Sequence, residues 1–235
     1  WYSMTNLKVN IAGVSFKNPV ITASGCFGFG REYECMYPLE KLGGISLKGM
    51  TFQEKLGNPP PRIAETPSGM LNSVGLQNPG VEHFLEHDMP YLAKQDTVKI
   101  ANIAGSSIED YCAIAERLSE SEIDMFELNI SCPNVKQGGA AFGTSCESAE
   151  RVVKEVRKYA KKPMIVKLSP NVTDIVSIAK AVEAQGADAV SLINTLLGMR
   201  IDINTRRPIL KNNVGGLSGP AIFPVAVRMV WQVAN

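Results

Sequence analysis

Hydrophobic residues along the chain fall into short continuous runs that alternate with longer segments of helical periodicity. Each run is too short for a helix. Its apolar residues are consecutive rather than alternating, which is typical of parallel strands buried on both faces. The pattern predicts six such strands, at residues 19–24, 44–48, 99–102, 125–130, 164–168 and 189–194.

The segments between these runs have the spacing of amphipathic helices, with apolar residues three or four positions apart. They predict helices at residues 108–119, 147–161, 173–185 and 221–234. Regular alternation of strands and helices indicates an α/β fold.

Two stretches do not follow this alternation. Residues 51–80 are rich in Pro, Gly and Asn, and they predict a long loop of the kind that is usually functional in a compact domain. Residues 199–219 predict a hairpin around positions 204–207 and then a glycine-rich turn into the last helix. Because the sequence contains neither a repeat nor a low-complexity linker, we expect residues 1–235 to form a single domain.

Composition narrows the function classes. Apolar residues make up 45% of the 235 residues and charged residues 20%, which is typical of a globular protein and not of a disordered or fibrous one. The net charge of +1 argues against a broad nucleic-acid-binding surface, and no apolar run is long enough to predict a membrane span. Five cysteines without a CxxC pair, and no signal-peptide pattern, indicate the cytoplasm. Residues 1–3 precede Met4, which we expect to be the natural start.

Each of the six apolar runs has a polar residue at its last or next-to-last position. In a parallel barrel these C-terminal ends form one face of the molecule, which is where active sites lie. Amide, hydroxyl and ammonium groups dominate the set and carboxylates are almost absent, so it favours a flat heterocycle over a metal or a glycoside. One polar residue could simply mark the exit of a strand, but six in succession favour a functional site. They are Ser24, Lys48, Asn102, Asn129, Lys167 and Asn194.

Two further patterns carry candidate chemistry. Residues 83–87 match the H-x-x-E-H zinc pattern, but His83 and His87 are the only histidines, so a third ligand would have to be a distant carboxylate. Exposed polar residues on a short surface helix are the alternative, and we predict no metal site. Cys132 follows a strand end and precedes a flexible loop. Its position alone is compatible with a nucleophile or general base, and equally with a small buried hydrophobic residue.

Several longer motifs occur in order along most of the chain. Examples are Ala-Ser-Gly-Cys-Phe-Gly-Phe-Gly at 23–30, Asn-Ile-Ser-Cys-Pro-Asn-Val-Lys at 129–136, Val-Lys-Leu-Ser-Pro-Asn-Val at 166–172 and Gly-Gly-Leu-Ser-Gly-Pro at 215–220. In these motifs the sequence resembles the catalytic subunits of class 1B dihydroorotate dehydrogenases, from about residue 7 to the end. The resemblance implies a TIM (β/α)8 barrel, and the strand pattern independently indicates the same α/β class.

The resemblance also implies that FMN is the cofactor and dihydroorotate the substrate. Cys132 matches the family's base, which would take a proton from C5 of dihydroorotate while hydride leaves C6 for the flavin. The positions that match substrate contacts are Lys48, Asn72, Ser73, Val74, Gly75, Leu76, Asn129, Asn134, Asn194 and Thr195. The positions that match FMN contacts are Ser24, Lys48, Gly49, Asn102, Asn129, Lys167, Ile193 and Gly219.

The loop at 136–139 and the segment at 77–80 look like class 1B rather than class 1A. By resemblance, electrons would pass to NAD through a partner subunit that carries FAD and a [2Fe–2S] cluster, in a heterotetramer of two catalytic and two electron-transfer chains. The chain itself has no clustered cysteines for such a cluster. A class 1A-like enzyme that uses fumarate, a catalytically incompetent fragment and a non-catalytic partner-binding scaffold stay open as alternatives.

The length bears on how much of the barrel is present. Eight βα units typically need about 250 residues, whereas the 235 residues here yield six strands, an N-terminal extension and two long insertions. The sequence therefore predicts that units seven and eight are absent from this chain. Because the loops after those strands commonly bind phosphate, we expect weak FMN retention by these residues alone.

Overall fold

The structure, a computed structural model, describes residues 5–130 and 142–235. Within them the strands are β1 (Val9–Ile11), β2 (Val14–Phe16), β3 (Ile21–Thr22), β4 (Gly44–Ser46), β5 (Ile63–Thr66), β6 (Gly69–Asn72), β7 (Val98–Ile103), β8 (Met125–Asn129), β9 (Met164–Lys167), β10 (Ala189–Ser191), β11 (Leu196–Met199), β12 (Ile201–Asp202), β13 (Arg207–Pro208) and β14 (Val214–Ser218). The helices are α1 (Arg31–Glu34), α2 (Val81–His83), α3 (Met89–Leu92), α4 (Ile108–Ser119), α5 (Cys146–Arg157), α6 (Ile175–Ala184) and α7 (Phe223–Ala234). A π-helical turn joins α2 to α3, and 3₁₀ turns occur at Leu39–Lys41 and Pro220–Ile222.

Six parallel strands form the central sheet, in the order β3-β4-β7-β8-β9-β10. All six predicted strands are in it, and they follow one another across the sheet in chain order, as strands of a (β/α) barrel do. The predicted TIM-barrel class is therefore confirmed. Apart from β7, each strand ends one to three residues before the predicted position. In β3, β4 and β10 the polar end residue lies in the loop, whereas Asn129 and Lys167 are the last residues of β8 and β9.

The two faces of the central sheet differ in chemistry because successive side chains of a strand point to opposite faces. In β8, Phe126 belongs to the large core between the sheet and its helices, whereas Met125 belongs to a small inner cluster. Phe16, from the N-terminal hairpin β1–β2, is also in that inner cluster. By alternation, Glu127 and Asn129 share the face of Met125. The inner face is therefore apolar near the start of β8 and polar near its end.

Polar caps explain where the longer helices begin. Ser107 forms a capping box with Asp110 at the start of α4, and the Ser145 hydroxyl accepts a backbone hydrogen bond at the start of α5. The Asp174 carboxylate accepts hydrogen bonds from two backbone N–H groups, so α6 begins two residues later than predicted. The predicted α4 is confirmed at both ends, and the other three long helices are confirmed to within four residues. No helix in the described ranges is long and apolar enough to cross a membrane.

A second sheet, of antiparallel strands in the order β11-β14-β6-β5, departs from the predictions. Residues 51–80, predicted as a loop, contain the hairpin β5–β6. The glycine-rich segment predicted as a turn is strand β14, which pairs with both β11 and β6. Glycine permits this close pairing, since a Cβ at Gly215 would lie 2.6 Å from the backbone oxygen of Asn72. The predicted hairpin around 204–207 is confirmed by β12 and β13.

Candidate functional site

Ser24 and Lys48 lie just beyond the C-terminal ends of β3 and β4. The Ser24 hydroxyl donates a hydrogen bond of 2.6 Å to the backbone oxygen of Leu47, which joins the ends of the two neighbouring strands. A Cβ at Gly25 would lie 3.9 Å from Nζ of Lys48. Gly25 has a φ of +86°, which residues with a side chain rarely adopt. Because glycine has no side chain, the backbone of this loop can lie close to the Lys48 ammonium group.

Asn102 lies in β7, and its side chain is fully buried. Its Nδ2 donates a hydrogen bond of 2.7 Å to Oε2 of Glu127, while its Oδ1 has no hydrogen-bond partner among the described residues. A Cβ at Gly49 would lie only 2.9 Å from that Oδ1. The amide oxygen is therefore a buried, unsatisfied acceptor that faces a residue without a side chain.

Glu127 is a candidate that the strand-end pattern does not include, because it lies inside β8, two residues before its end. The buried carboxylate accepts hydrogen bonds from the Ser46 and Ser191 hydroxyls, at 2.6 and 2.7 Å, and from the Asn102 amide. Burial opposes ionisation of this carboxyl, but the Lys167 charge and these three hydrogen bonds outweigh it and lower its pKa. The strand-end pattern predicts a site almost without carboxylates, and it does not include the buried negative charge of Glu127. The available signal is one acidic residue within an apolar run.

Four of the predicted substrate contacts come together between the central sheet and the second sheet. Asn194 Nδ2 donates a hydrogen bond of 3.3 Å to Oδ1 of Asn129, and the Thr195 N–H donates one of 2.8 Å to Oδ1 of Asn194. On the second sheet, Asn72 Nδ2 donates to the backbone oxygen of Gly216 at 3.4 Å. A Cβ at Gly216 would overlap the Thr195 hydroxyl, so the two sheets meet at this point.

Residues 73–76 continue from β6 toward Asn102. Ser73 is fully buried, and its hydroxyl has no partner within the described residues. Asn58 Nδ2 donates a hydrogen bond of 2.8 Å to the backbone oxygen of Ser73 and so fixes the segment. Leu76 is buried, and its Cδ2 would lie 3.3 Å from a Cβ at Gly49. The segment therefore reaches the neighbourhood of the unsatisfied amide oxygen.

For four of the predicted site residues, the structure gives little information on the predicted role. Cys132 and Asn134 lie outside the described residues. Ile193 packs against the large core. Gly219 lies against the turn between β5 and β6, since a Cβ there would be 2.9 Å from Cα of Gly69. The roles assigned to these four positions by resemblance stay predictions.

The histidines of the H-x-x-E-H pattern lie on the surface, in the helical segment from α2 to α3. Both side chains are exposed, and their rings stack with centroids 4.2 Å apart. Nδ1 of His83 is 3.9 Å from a carboxylate oxygen of Asp88. In the part of the chain that the structure describes, no group of three or more His, Cys, Asp or Glu could hold a metal ion. The zinc alternative gains no support from this geometry.

Comparison with known proteins identifies the family. A family model described as "Dihydroorotate dehydrogenase" matches residues 6–235. The chain is 62% identical over 230 residues to the dihydroorotate dehydrogenase B (NAD(+)), catalytic subunit, of Alkaliphilus metalliredigens, and the match covers 98% of this chain and 76% of the relative. It is 59% identical over 233 residues to the protein of the same name from Listeria welshimeri, with 99% and 77% covered. The chain therefore belongs to the dihydroorotate dehydrogenase family.

Proposed function

We propose that this chain oxidises dihydroorotate to orotate, a step of pyrimidine biosynthesis. The observation that carries the proposal is the group of amide side chains between the two sheets, Asn72, Asn129 and Asn194, with Thr195 beside them. Orotate is a flat ring with carbonyl groups, ring N–H groups and a carboxylate. Amides both donate and accept hydrogen bonds, so this group has the chemistry that such a ring requires.

FMN is the proposed cofactor, and the residues around Asn102 fit it. Asn102 Oδ1 is a buried acceptor without a partner among the described residues, and Gly49 beside it has no side chain. The oxidised flavin ring offers one N–H donor and a flat face, which is what these two residues can accommodate. When bound, FMN would accept the hydride that leaves C6 of dihydroorotate. The residues that would hold it are Ser24, Lys48, Gly49, Asn102, Asn129, Lys167, Ile193 and Gly219.

The chain's own residues would bind and orient the substrate and move one proton. Cys132 is the proposed base that takes the proton from C5 of dihydroorotate. The Lys48 ammonium would offset the negative charge that develops on the substrate as this proton leaves. Asn134 and residues 73–76 would complete the contacts to the ring and its carboxylate, so that C5 is held toward the thiol.

We propose NAD as the final electron acceptor. The route would be a cytoplasmic heterotetramer of two catalytic chains and two partner chains that carry FAD and a [2Fe–2S] cluster. Both relatives described above are named as catalytic subunits of an NAD(+) enzyme, which favours this class over the fumarate-dependent one. Turnover with fumarate and without a partner subunit would favour the class 1A-like alternative instead.

The catalytic assignment is tested by replacing Cys132 with Ala. We expect dihydroorotate oxidation at neutral pH to slow by about 100-fold or more, which is the usual contribution of a general base, while FMN binding is retained. Cys35→Ala is the matched control, because Cys35 is exposed and follows α1. Turnover by Cys132→Ala at the rate of the control would show that Cys132 is not the base.

A further inference from the structure

We propose that Glu127 is a positioning residue for the flavin, because it fixes the side-chain amide of Asn102 so that the oxygen, and not the nitrogen, faces the flavin ring. The inference rests on the proposed FMN site. It assigns a role to a residue that lies inside β8, away from the strand-end motifs.

Three donors surround the Glu127 carboxylate. Oε2 accepts hydrogen bonds from Ser46 Oγ at 2.6 Å and from Asn102 Nδ2 at 2.7 Å, and Oε1 accepts one from Ser191 Oγ at 2.7 Å. These donors come from β4, β7 and β10, so the carboxylate connects strands across the inner face of the sheet. The positive charge of Lys167, on the neighbouring strand β9, favours its ionised form.

An ionised carboxylate can only accept hydrogen bonds, whereas an amide has one end that donates and one that accepts. The Asn102 amide must therefore turn its nitrogen toward Glu127. Its oxygen is then fixed on the other side, next to Gly49. A neutral amide at position 127 would remove this restriction, because it could pair with either end of the Asn102 side chain.

The fixed oxygen is the reason for a role in flavin binding. Asn102 is fully buried and its Oδ1 has no partner in the described part of the chain. An enclosed acceptor without a hydrogen bond is unfavourable. A ring N–H of the flavin would satisfy it, and an amide held in advance loses no orientational freedom on binding. The reversed amide would instead present a donor to a donor.

A purely structural role is the competing explanation, in which the Asn102–Glu127 pair only ties β7 to β8. The two explanations differ in a measurable way. A structural pair affects the stability of the flavin-free protein, and it leaves the FMN dissociation constant of the folded protein unchanged. A positioning pair changes the FMN dissociation constant itself.

The experiment exchanges the two side-chain groups. The variants are Asn102→Asp, Glu127→Gln and the double variant, in which the carboxylate is at 102 and the amide at 127. FMN dissociation constants are measured at about pH 8 from the quenching of flavin fluorescence, well below the thermal midpoint of each flavin-free protein, and no turnover is needed. The titration of Asn102→Asp is repeated near pH 6, where two facing carboxyl groups can share a proton.

We expect Asn102→Asp to bind FMN about tenfold more weakly at the higher pH, because two carboxylates then face each other. Glu127→Gln weakens binding less, because the correct amide orientation is still accessible. The double variant restores a donor at 127 opposite an acceptor at 102, and we expect its FMN affinity to lie within about threefold of wild type. If the two positions acted independently, the factors by which the single variants weaken FMN binding would multiply instead. Near pH 6, Asn102→Asp recovers most of its affinity.

Either of two results overturns the inference. One is a double variant that binds FMN more weakly than both single variants. The other is a set of variants whose thermal midpoints change while their FMN affinities do not. In both cases the proposed function stands, provided that the wild-type protein binds FMN and dihydroorotate reduces it. Because weak FMN retention is expected of these residues alone, the wild-type titration is extended to high FMN concentrations. A wild-type protein that does not quench flavin fluorescence at any of them contradicts the proposed cofactor, and the inference fails with it.

Discussion

Replacement of Tyr111 with Phe removes a single hydroxyl that connects the helical layer to the site. Tyr111 lies in α4 and is fully buried, and its hydroxyl donates a hydrogen bond of 2.8 Å to the backbone oxygen of Asn129, the last residue of β8. Phe preserves the ring and its edge-to-face contact with Phe142. Among the described residues, the change removes this hydrogen bond to a buried carbonyl, and we expect the free energy of unfolding to fall by about 1–3 kcal/mol. For a chain of this size the thermal midpoint falls by about 2–4 °C per kcal/mol.

The assay is urea unfolding followed by circular dichroism. Tyr159→Phe is the matched control, because the Tyr159 side chain is 39% exposed, and a surface change of this kind stays within about 0.5 kcal/mol. Because Asn129 is also a proposed substrate contact, we expect a raised KM for dihydroorotate in Tyr111→Phe. A loss of stability no larger than that of the control would refute the reasoning that this hydroxyl supports the strand end.

Three further changes have expected outcomes. Ser107→Ala removes the N-cap of α4 and should cost about 1 kcal/mol by urea unfolding, with the exposed Ser106→Ala as a control that stays near wild type. The folded-state pKa of Glu127 is lowered, so its ionised form stabilises the protein above the unfolded pKa of about 4.3. The difference in unfolding free energy between wild type and Glu127→Gln should therefore shrink as the pH falls below that value. A difference that stays constant from pH 7 to about pH 3 would contradict this. Gly216→Ala should lower stability and substrate affinity together, because its Cβ would overlap the Thr195 hydroxyl, and an unchanged KM would argue against that contact.

The central sheet was predictable because its signal is local and strong. Each strand is a continuous apolar run, and the helices that follow β7, β8 and β9 have a clear period. The caps at Ser107 and Asp174 are visible as residue types. The second sheet was not predictable in the same way. Strand β14 is glycine-rich, and its conformation depends on pairing with β6, which is more than 140 residues earlier in the chain. Local propensity does not contain that information.

The site residues also differ in how far the local sequence predicts them. Polar residues at strand ends could be identified because the barrel places all such ends on one face, and the structure brings Asn129, Asn194 and Thr195 together there. Glu127 could not be identified from that pattern, because its role depends on partners from three other strands that only the folded sheet assembles. A charged residue within a buried strand is nonetheless a usable signal, since such a group requires partners.

The most direct test of the central claim is the visible absorbance of the FMN-loaded protein under anaerobic conditions, before and after dihydroorotate is added. The account predicts that the bound flavin loses its visible absorbance with dihydroorotate, and that the loss is about 100-fold slower or more in Cys132→Ala. Bound FMN that a chemical reductant can bleach, but that dihydroorotate leaves unchanged in the wild-type protein, would contradict it.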